Sequence, residues 1–354
     1  KRPAGSKESI TRGVDLILNA KNPLIWAGGG VISSEASEEL TELAEFLQAP
    51  VITTGEGRGA ITDRHYLSIG SFRFKHDTFF DSEIENYDLV VAVGTRMAYP
   101  QYLKGQKVLQ IDIDDEEIGR NYDNTEGING DAKKSLSEII ELLKSKMSPV
   151  QSKEAEISKL KAERYNPETI IEPQHSYVQA IRNAMPDDGI LISGMTQIGY
   201  YSRNRYEVYE PRTYVTSGYY GNLGYAYPTA LGAKVAQPDK AVVAVSGDGG
   251  FMFNVQELST AAKHNINVVL VLFNDNAYGN VMRDQVNMFD GREYGAQLNN
   301  PDFMKLSEAF GVRAVRVEGG ADELESAIRE AIKIESPSLI EVPVGPMPNP
   351  FREY

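Results

Sequence analysis

Two carboxylates, Asp248 and Asp275, stand 27 positions apart, each just past a short apolar run. Ala241–Val245 is apolar and β-branched, the character of a buried parallel strand. It runs through Ser246 into the turn Gly247-Asp248-Gly249-Gly250. Phe251–His264 then reads as a helix with an apolar face, Val268–Phe273 as a second buried strand, and Asn274-Asp275-Asn276 as its end. A right-handed β-α-β crossover brings both strand ends to one edge of a sheet. Oxygen ligands, backbone N–H groups and a helix N-terminus would then share one crevice. A hard dication bridging to a phosphate needs that combination. Gly247, Gly249 and Gly250 let the backbone turn tightly and approach a bulky anion. Either piece alone is common loop composition. The spacing, with a buried strand before each piece, points to a metal–diphosphate site.

The Gly-Asp-Gly turn, followed at this interval by an Asn-rich triplet, resembles the motif of thiamine-diphosphate-dependent enzymes. The stretch from Ser217-Gly218-Tyr219-Tyr220-Gly221-Asn222-Leu223-Gly224 to Pro228 and Gly232 resembles a segment of the acetolactate synthase and benzoylformate decarboxylase group. The resemblance covers nearly the whole chain and is most specific over 217–280. It implies that the Asp248 and Asp275 side chains and the Ala277 carbonyl ligate Mg²⁺, with diphosphate oxygens and water completing an octahedron. Gly249, Gly250, Tyr278, Gly279 and Asn280 would lie against the cofactor. Met195 and Thr196 match the positions that hold the diphosphate end. Acetolactate synthases carry Gln-His there, which leaves this chain backbone groups and the Thr196 hydroxyl. Leu223 matches the apolar residue that keeps the cofactor bent, and the Gly221 carbonyl matches the acceptor for its 4′-amino group. The family more often has Asn where Asp275 stands. The added negative charge should make cofactor binding more metal-dependent.

The activity so implied is decarboxylation or carboligation of a 2-oxo acid. An acyl-CoA lyase or decarboxylase of the same family, and a cofactor-holding subunit without turnover, are the alternatives. The family's catalytic glutamate lies in an N-terminal pyrimidine-binding domain, on the same or another chain. The chain is expected to begin after that domain, to be inactive alone, and to assemble as a homodimer or homotetramer.

The elements that would position these residues alternate between short apolar strands and helices, an α/β pattern of two doubly wound parallel-sheet domains. The first, a Rossmann-like domain over 1–143 with a connector at 1–22, has strands at Pro23–Ala27, Val51–Thr54, Asp88–Val93 and Lys107–Asp112 and a helix over Ser34–Gln48. Residues 144–174 are rich in Lys, Glu and Ser and read as a linker with an exposed helix around Lys153–Glu163. The diphosphate-binding domain spans 175–354, with strands at Gly189–Ser193, Arg212–Thr216, Ala241–Ser246, Val268–Phe273, Arg313–Val317 and Ser338–Val342 and a helix at Asp322–Glu335.

Gly28-Gly29-Gly30 follows the first strand and superficially meets a dinucleotide-binding context, but Ser33 replaces the third glycine. Thr53-Thr54-Gly55 stands where an acidic residue is expected. Relatives hold FAD, a CoA-related nucleotide or nothing in this domain. Gly94-Thr95-Arg96 and Gln110–Gly119 resemble its family segments. Ser71-Phe72-Arg73-Phe74 and Met97-Ala98-Tyr99 depart from those of FAD-binding synthases and count against FAD.

Composition sets the remaining bounds. A net charge of −14 with no offsetting basic stretch excludes nucleic acid as a partner. The absence of cysteine excludes disulfides and thiolate metal sites, and four scattered histidines make no zinc pattern. No apolar run approaches membrane-spanning length, so the chain reads as cytoplasmic.

Overall fold

The computed structural model describes residues 2–72, 82–98 and 102–351. They form two compact units. Of the described residues, those up to Thr169 and Val208–Arg212 make unit 1, and Ile170–Glu207 and those from Thr213 onward make unit 2.

Unit 1 has strands β1 (Pro23–Ala27), β2 (Val51–Thr53), β3 (Ser68–Ser71), β4 (Leu89–Val93), β5 (Lys107–Asp112) and β6 (Thr125–Asn129). They form one sheet in the order β3-β2-β1-β4-β5-β6, every pair parallel. All residues of β1 and β4 are buried, which is why their sequences are unbroken apolar runs. The helix expected over Ser34–Gln48 runs Ser37–Leu47, and a separate short helix, Gly29–Ser34, precedes it and ends where Glu35 takes a left-handed φ of 58°.

Two expected connectors are part of the unit. The helix Lys7–Asn19 is capped by Ser6, whose Oγ accepts the Ser9 N–H at 3.1 Å, and it buries Ile10, Val14 and Ile17 along one stripe. Residues 144–169 also pack on unit 1 instead of forming a linker. Their helix, Glu154–Arg164, buries Ile157, and the 3%-exposed Arg164 donates to the Ser71 carbonyl at 2.7 Å. Lys161 donates to the His65 carbonyl at 3.0 Å. Long charged side chains anchor this helix, so its sequence lacks the apolar signal of a packed element.

A buried ion pair closes the unit. Arg58 Nη2 lies 2.8 Å from Asp63 Oδ2, with both side chains at least nine-tenths buried. Asp63 also accepts the Ser68 hydroxyl at 3.0 Å and the Val208 N–H at 2.8 Å, and its own N–H donates to the Val208 carbonyl at 2.9 Å. Val208–Arg212 is thereby folded into unit 1.

Unit 2 has strands β7 (Ile190–Ser193), β8 (Tyr214–Val215), β9 (Val242–Gly247), β10 (Val269–Asn274), β11 (Arg313–Arg316) and β12 (Ser338–Pro343). Their order is β11-β12-β10-β9-β7-β8, again all parallel. The core includes Ile192, Ala244, Leu270, Leu272, Phe251 and Phe303. The helix expected over Phe251–His264 is interrupted. Asp248–Phe251 is α-helical, Met252–Asn254 is a 3₁₀ turn, and Glu257–His264 resumes the α-helix. Asn254 Nδ2 donates to the Gly224 carbonyl at 2.7 Å, tying the interruption to the loop that carries Leu223. The chain thus has the two doubly wound α/β units that the alternation of elements predicts. Among the described residues, no helix is long and apolar enough to cross a membrane.

Asp63→Ala should destabilise unit 1 by about 3–5 kcal/mol, because it removes the carboxylate that pairs with the buried Arg58 guanidinium and accepts from Ser68 and Val208. Urea denaturation followed by circular dichroism checks this; a loss below about 1 kcal/mol would show that the pair is solvated.

Candidate functional site

In an open parallel sheet, ligands bind beyond the strand C-termini where the strand order reverses direction. In unit 2 that point lies between β7 and β9. The residues after β7 are Gly194, Met195 and Thr196, and those after β9 are Asp248, Gly249 and Gly250. A Cβ built on Gly247 would lie 3.6 Å from the Thr196 Cβ, so the two turns face each other.

β9 and β10 pair with Phe273 beside Gly247, so both strands leave the sheet at the same level. Asp248 follows β9 and is 2% exposed; Asp275 follows β10 and is partly buried. Asp248 Oδ2 accepts Asn300 Nδ2 at 2.6 Å. The same amide lies 3.0 Å from Asn274 Oδ1 and 3.2 Å from Asn276 Oδ1. Burial raises the Asp248 pKa against the opposing effect of Asn300 and nearby backbone N–H groups. Burial, then the Asp248 charge, pushes Asp275 up to about 6. Asp275 Oδ1 accepts the Ala277 N–H at 3.2 Å.

Asn276 takes a left-handed φ of 54° and turns the chain. The hydrogen bonds Tyr278 N–H to Ala296 O and Leu298 N–H to Asn276 O, both 2.8 Å, flank Ala277 without using its carbonyl. Two adjacent carboxylates that burial and mutual repulsion disfavour as anions suit a hard dication. No group of three or more His, Asp or Glu side chains that could hold a metal occurs among the described residues. A cation at this pair would therefore draw on backbone, water or ligand oxygens.

The other expected residues converge here. A Cβ on Gly249 would fall 2.5 Å from the Tyr278 ring, and one on Gly279 2.5 Å from Asp275 Oδ2. Gly279 opens the helix Gly279–Met288, with Asn280 next in its first turn. The Leu223 side chain would lie 3.7 Å from a Cβ on Gly250, and the Met195 methyl 3.4 Å from one on Gly221. Gly221 has φ 59°, and Leu223 is 38% exposed, so it is not a core leucine. Asn300, Gln197 and Arg283 also belong to the cluster, and sequence reasoning missed them. Arg283 Nη1 donates to Gln197 Oε1 at 3.1 Å and Nη2 to Asn280 Oδ1. Asn300 sits in an Asn-Asn-Pro-Asp turn that gives no hint of its reach.

The corresponding point of unit 1 lies between β1 and β4. There Gly28 N–H donates to the Val93 carbonyl and Gly30 N–H to the Gly94 carbonyl, both at 2.9 Å. A Cβ on Gly28 would lie 2.2 Å from Gly94 O, and one on Gly30 2.5 Å from Gly94 Cα. These glycines serve the close approach of two protein backbones. Arg73, Phe74 and Tyr99, in the segments that depart from flavin-binding synthases, lie outside the described residues.

Residues 194–342 match the family model described as thiamine pyrophosphate enzyme, C-terminal TPP binding domain, and residues 10–139 match thiamine pyrophosphate enzyme, central domain. The chain belongs to the thiamine pyrophosphate enzyme family. It is 32% identical to a probable acetolactate synthase large subunit of Methanococcus aeolicus, over 97% of this chain and 61% of the relative. It is also 32% identical to the acetolactate synthase large subunit of Haemophilus influenzae, over 94% of this chain and 60% of that protein. A third, from Corynebacterium glutamicum, is 32% identical over 95% of this chain and 56% of its own length. The chain thus spans about 60% of the length of these relatives.

The Asp275 pKa of about 6 in the folded chain, against an ordinary 3.8, means that the folded state holds more protons between those values. Metal-free stability should therefore fall as pH rises through that window. Asp275→Asn should flatten the fall and, at pH 7, stabilise the EDTA-treated protein by about 1–2 kcal/mol, a figure discounted for partial exposure. Thermal melts across pH check this; an unchanged pH profile would show that the two carboxylates do not repel.

Proposed function

We propose that unit 2 binds thiamine diphosphate through a magnesium ion held by Asp248, Asp275 and the Ala277 carbonyl, and that the chain serves decarboxylation or carboligation of a 2-oxo acid. The observation that carries this reading is the buried Asp248 at the β7/β9 switch point with the partly buried Asp275 at the neighbouring end of β10, flanked by Gly249, Gly250 and the helix beginning at Gly279. The names of the relatives favour a synthase over an acyl-CoA lyase. When bound, the cofactor supplies the carbon nucleophile and the electron sink for loss of CO₂.

The chain's own residues hold and shape it. Asp248 and Asp275 neutralise the dication. The N–H groups of Gly250, Gly279 and Asn280, with the Thr196 hydroxyl, would hold the diphosphate, and Gly249 would let it approach. Leu223, apolar and 38% exposed beside Gly250, supports the bend between the two rings. The Gly221 carbonyl accepts from the 4′-amino group and orients it toward the reacting carbon.

Large apolar side chains stand exposed, among them Tyr219, Tyr220, Phe253, Val281, Met288 and Tyr294; Tyr220 is 93% exposed. Three of the segments that carry them contribute to the site. Such a surface suits a protein partner, which in this reading is the pyrimidine-binding domain of the same or another chain, within a dimer or tetramer. Unit 1 in this reading is structural and holds no flavin, because the Gly28 and Gly30 N–H groups are already bonded to protein carbonyls.

Calorimetry should show thiamine diphosphate binding that requires Mg²⁺ and is lost in Asp248→Ala. Undiminished binding by that variant would remove the metal assignment. Purified protein should be colourless; a stoichiometric flavin spectrum would overturn the reading of unit 1.

A further inference from the structure

We infer that Arg283 is a binding residue for the terminal phosphate of the diphosphate. The inference rests on the cofactor reading above and goes beyond it, because neither the Gly-Asp-Gly turn nor the Asn-rich triplet includes this side chain.

Arg283 lies in the helix Gly279–Met288, whose first residue abuts Asp275. Its guanidinium bonds to Gln197 Oε1 at 3.1 Å and to Asn280 Oδ1. A Cβ built on Gly279 would lie 3.9 Å from Gln197 Nε2 and 2.5 Å from Asp275 Oδ2, so this group of side chains lies beside Asp275. Both acceptors are neutral amides, and among the described residues no carboxylate lies within ion-pair distance of Arg283. Burial disfavours its charge, against the opposing effect of Asp284 and Tyr200. A guanidinium held half-buried by two amide oxygens still has N–H donors and a charge to satisfy.

Charge balance identifies the ligand. A dication cancels Asp248 and Asp275, so a bridging diphosphate brings two or more negative charges in excess. Met195 and Thr196 carry no charge to meet them. The helix beginning at Gln197 and the helix beginning at Gly279 add partial positive charge. Arg283 adds a full one, in a planar fork that matches phosphate oxygens. It takes up the charge that the additional carboxylate at 275 introduces.

The test uses the full-length protein with Mg²⁺ and two ligands, thiamine diphosphate and thiamine monophosphate, measured by calorimetry on wild type, Arg283→Gln and Arg283→Lys. A charge-assisted phosphate contact predicts that Arg283→Gln weakens diphosphate binding roughly 10- to 100-fold, with monophosphate affinity changed less than about twofold. Arg283→Lys should recover part of the loss, since it keeps the charge without the fork, and shows that the helix still folds. Equal diphosphate affinity in Arg283→Gln would overturn the inference and leave the cofactor reading standing. So would a parallel loss for both ligands, which would make Arg283 a strut for Gln197 and Asn280. A wild-type protein that binds neither ligand would overturn the cofactor reading, and this inference with it.

Discussion

The parallel register that sets Phe273 beside Gly247 decides where β9 and β10 both run out of sheet, and the chemistry of unit 2 is built on that level edge. Past it the chain must turn, and the first side chains to leave the strands are Asp248 and Asn274-Asp275-Asn276. Their mutual repulsion is managed by a polar relay. Arg316 Nε and Asn274 Nδ2 each donate to the 2%-exposed Glu341 of β12 at 2.8 Å. Asn274 Oδ1 in turn meets the Asn300 amide, which reaches Asp248. The network holds Asp248 from the sheet side, while Asp275 is held by the Ala277 N–H.

The two units share an architecture and use it differently. Each reverses strand order near its middle, and each has a glycine after the first strand of the reversal whose N–H bonds to the neighbouring strand, Gly28 to Val93 and Gly194 to Val245. In unit 1 the next contact is again glycine to glycine, Gly30 against Gly94, and the backbones close on each other. In unit 2 the chain continues into Met195 and Thr196, and the opposite turn carries a carboxylate.

Much of this was legible where burial writes itself into composition. The strands Pro23–Ala27 and Lys107–Asp112 are readable to the residue, and the spacing of Asp248 and Asp275 places both carboxylates just past neighbouring strand ends. The illegible parts have physical reasons. β6, Thr125–Asn129, is a polar edge strand with one buried residue, so it carries no apolar run. The helix Glu154–Arg164 is anchored by Lys161 and Arg164 reaching backbone carbonyls, which sequence periodicity does not register. Asn300 lies 52 positions from Asp248, and Arg283 lies 86 from Gln197; only the fold relates them.

Val208–Arg212 sits among the residues of unit 2 in sequence but completes the surroundings of Asp63. During synthesis the first unit therefore cannot finish folding when its own sheet has left the ribosome. It must wait while some 80 further residues are made, holding a buried acid whose last donors have not yet been translated. The same interleaving means that a cut in the chain near Thr169 releases neither unit whole. The two units are compact, and their segments interleave along the chain.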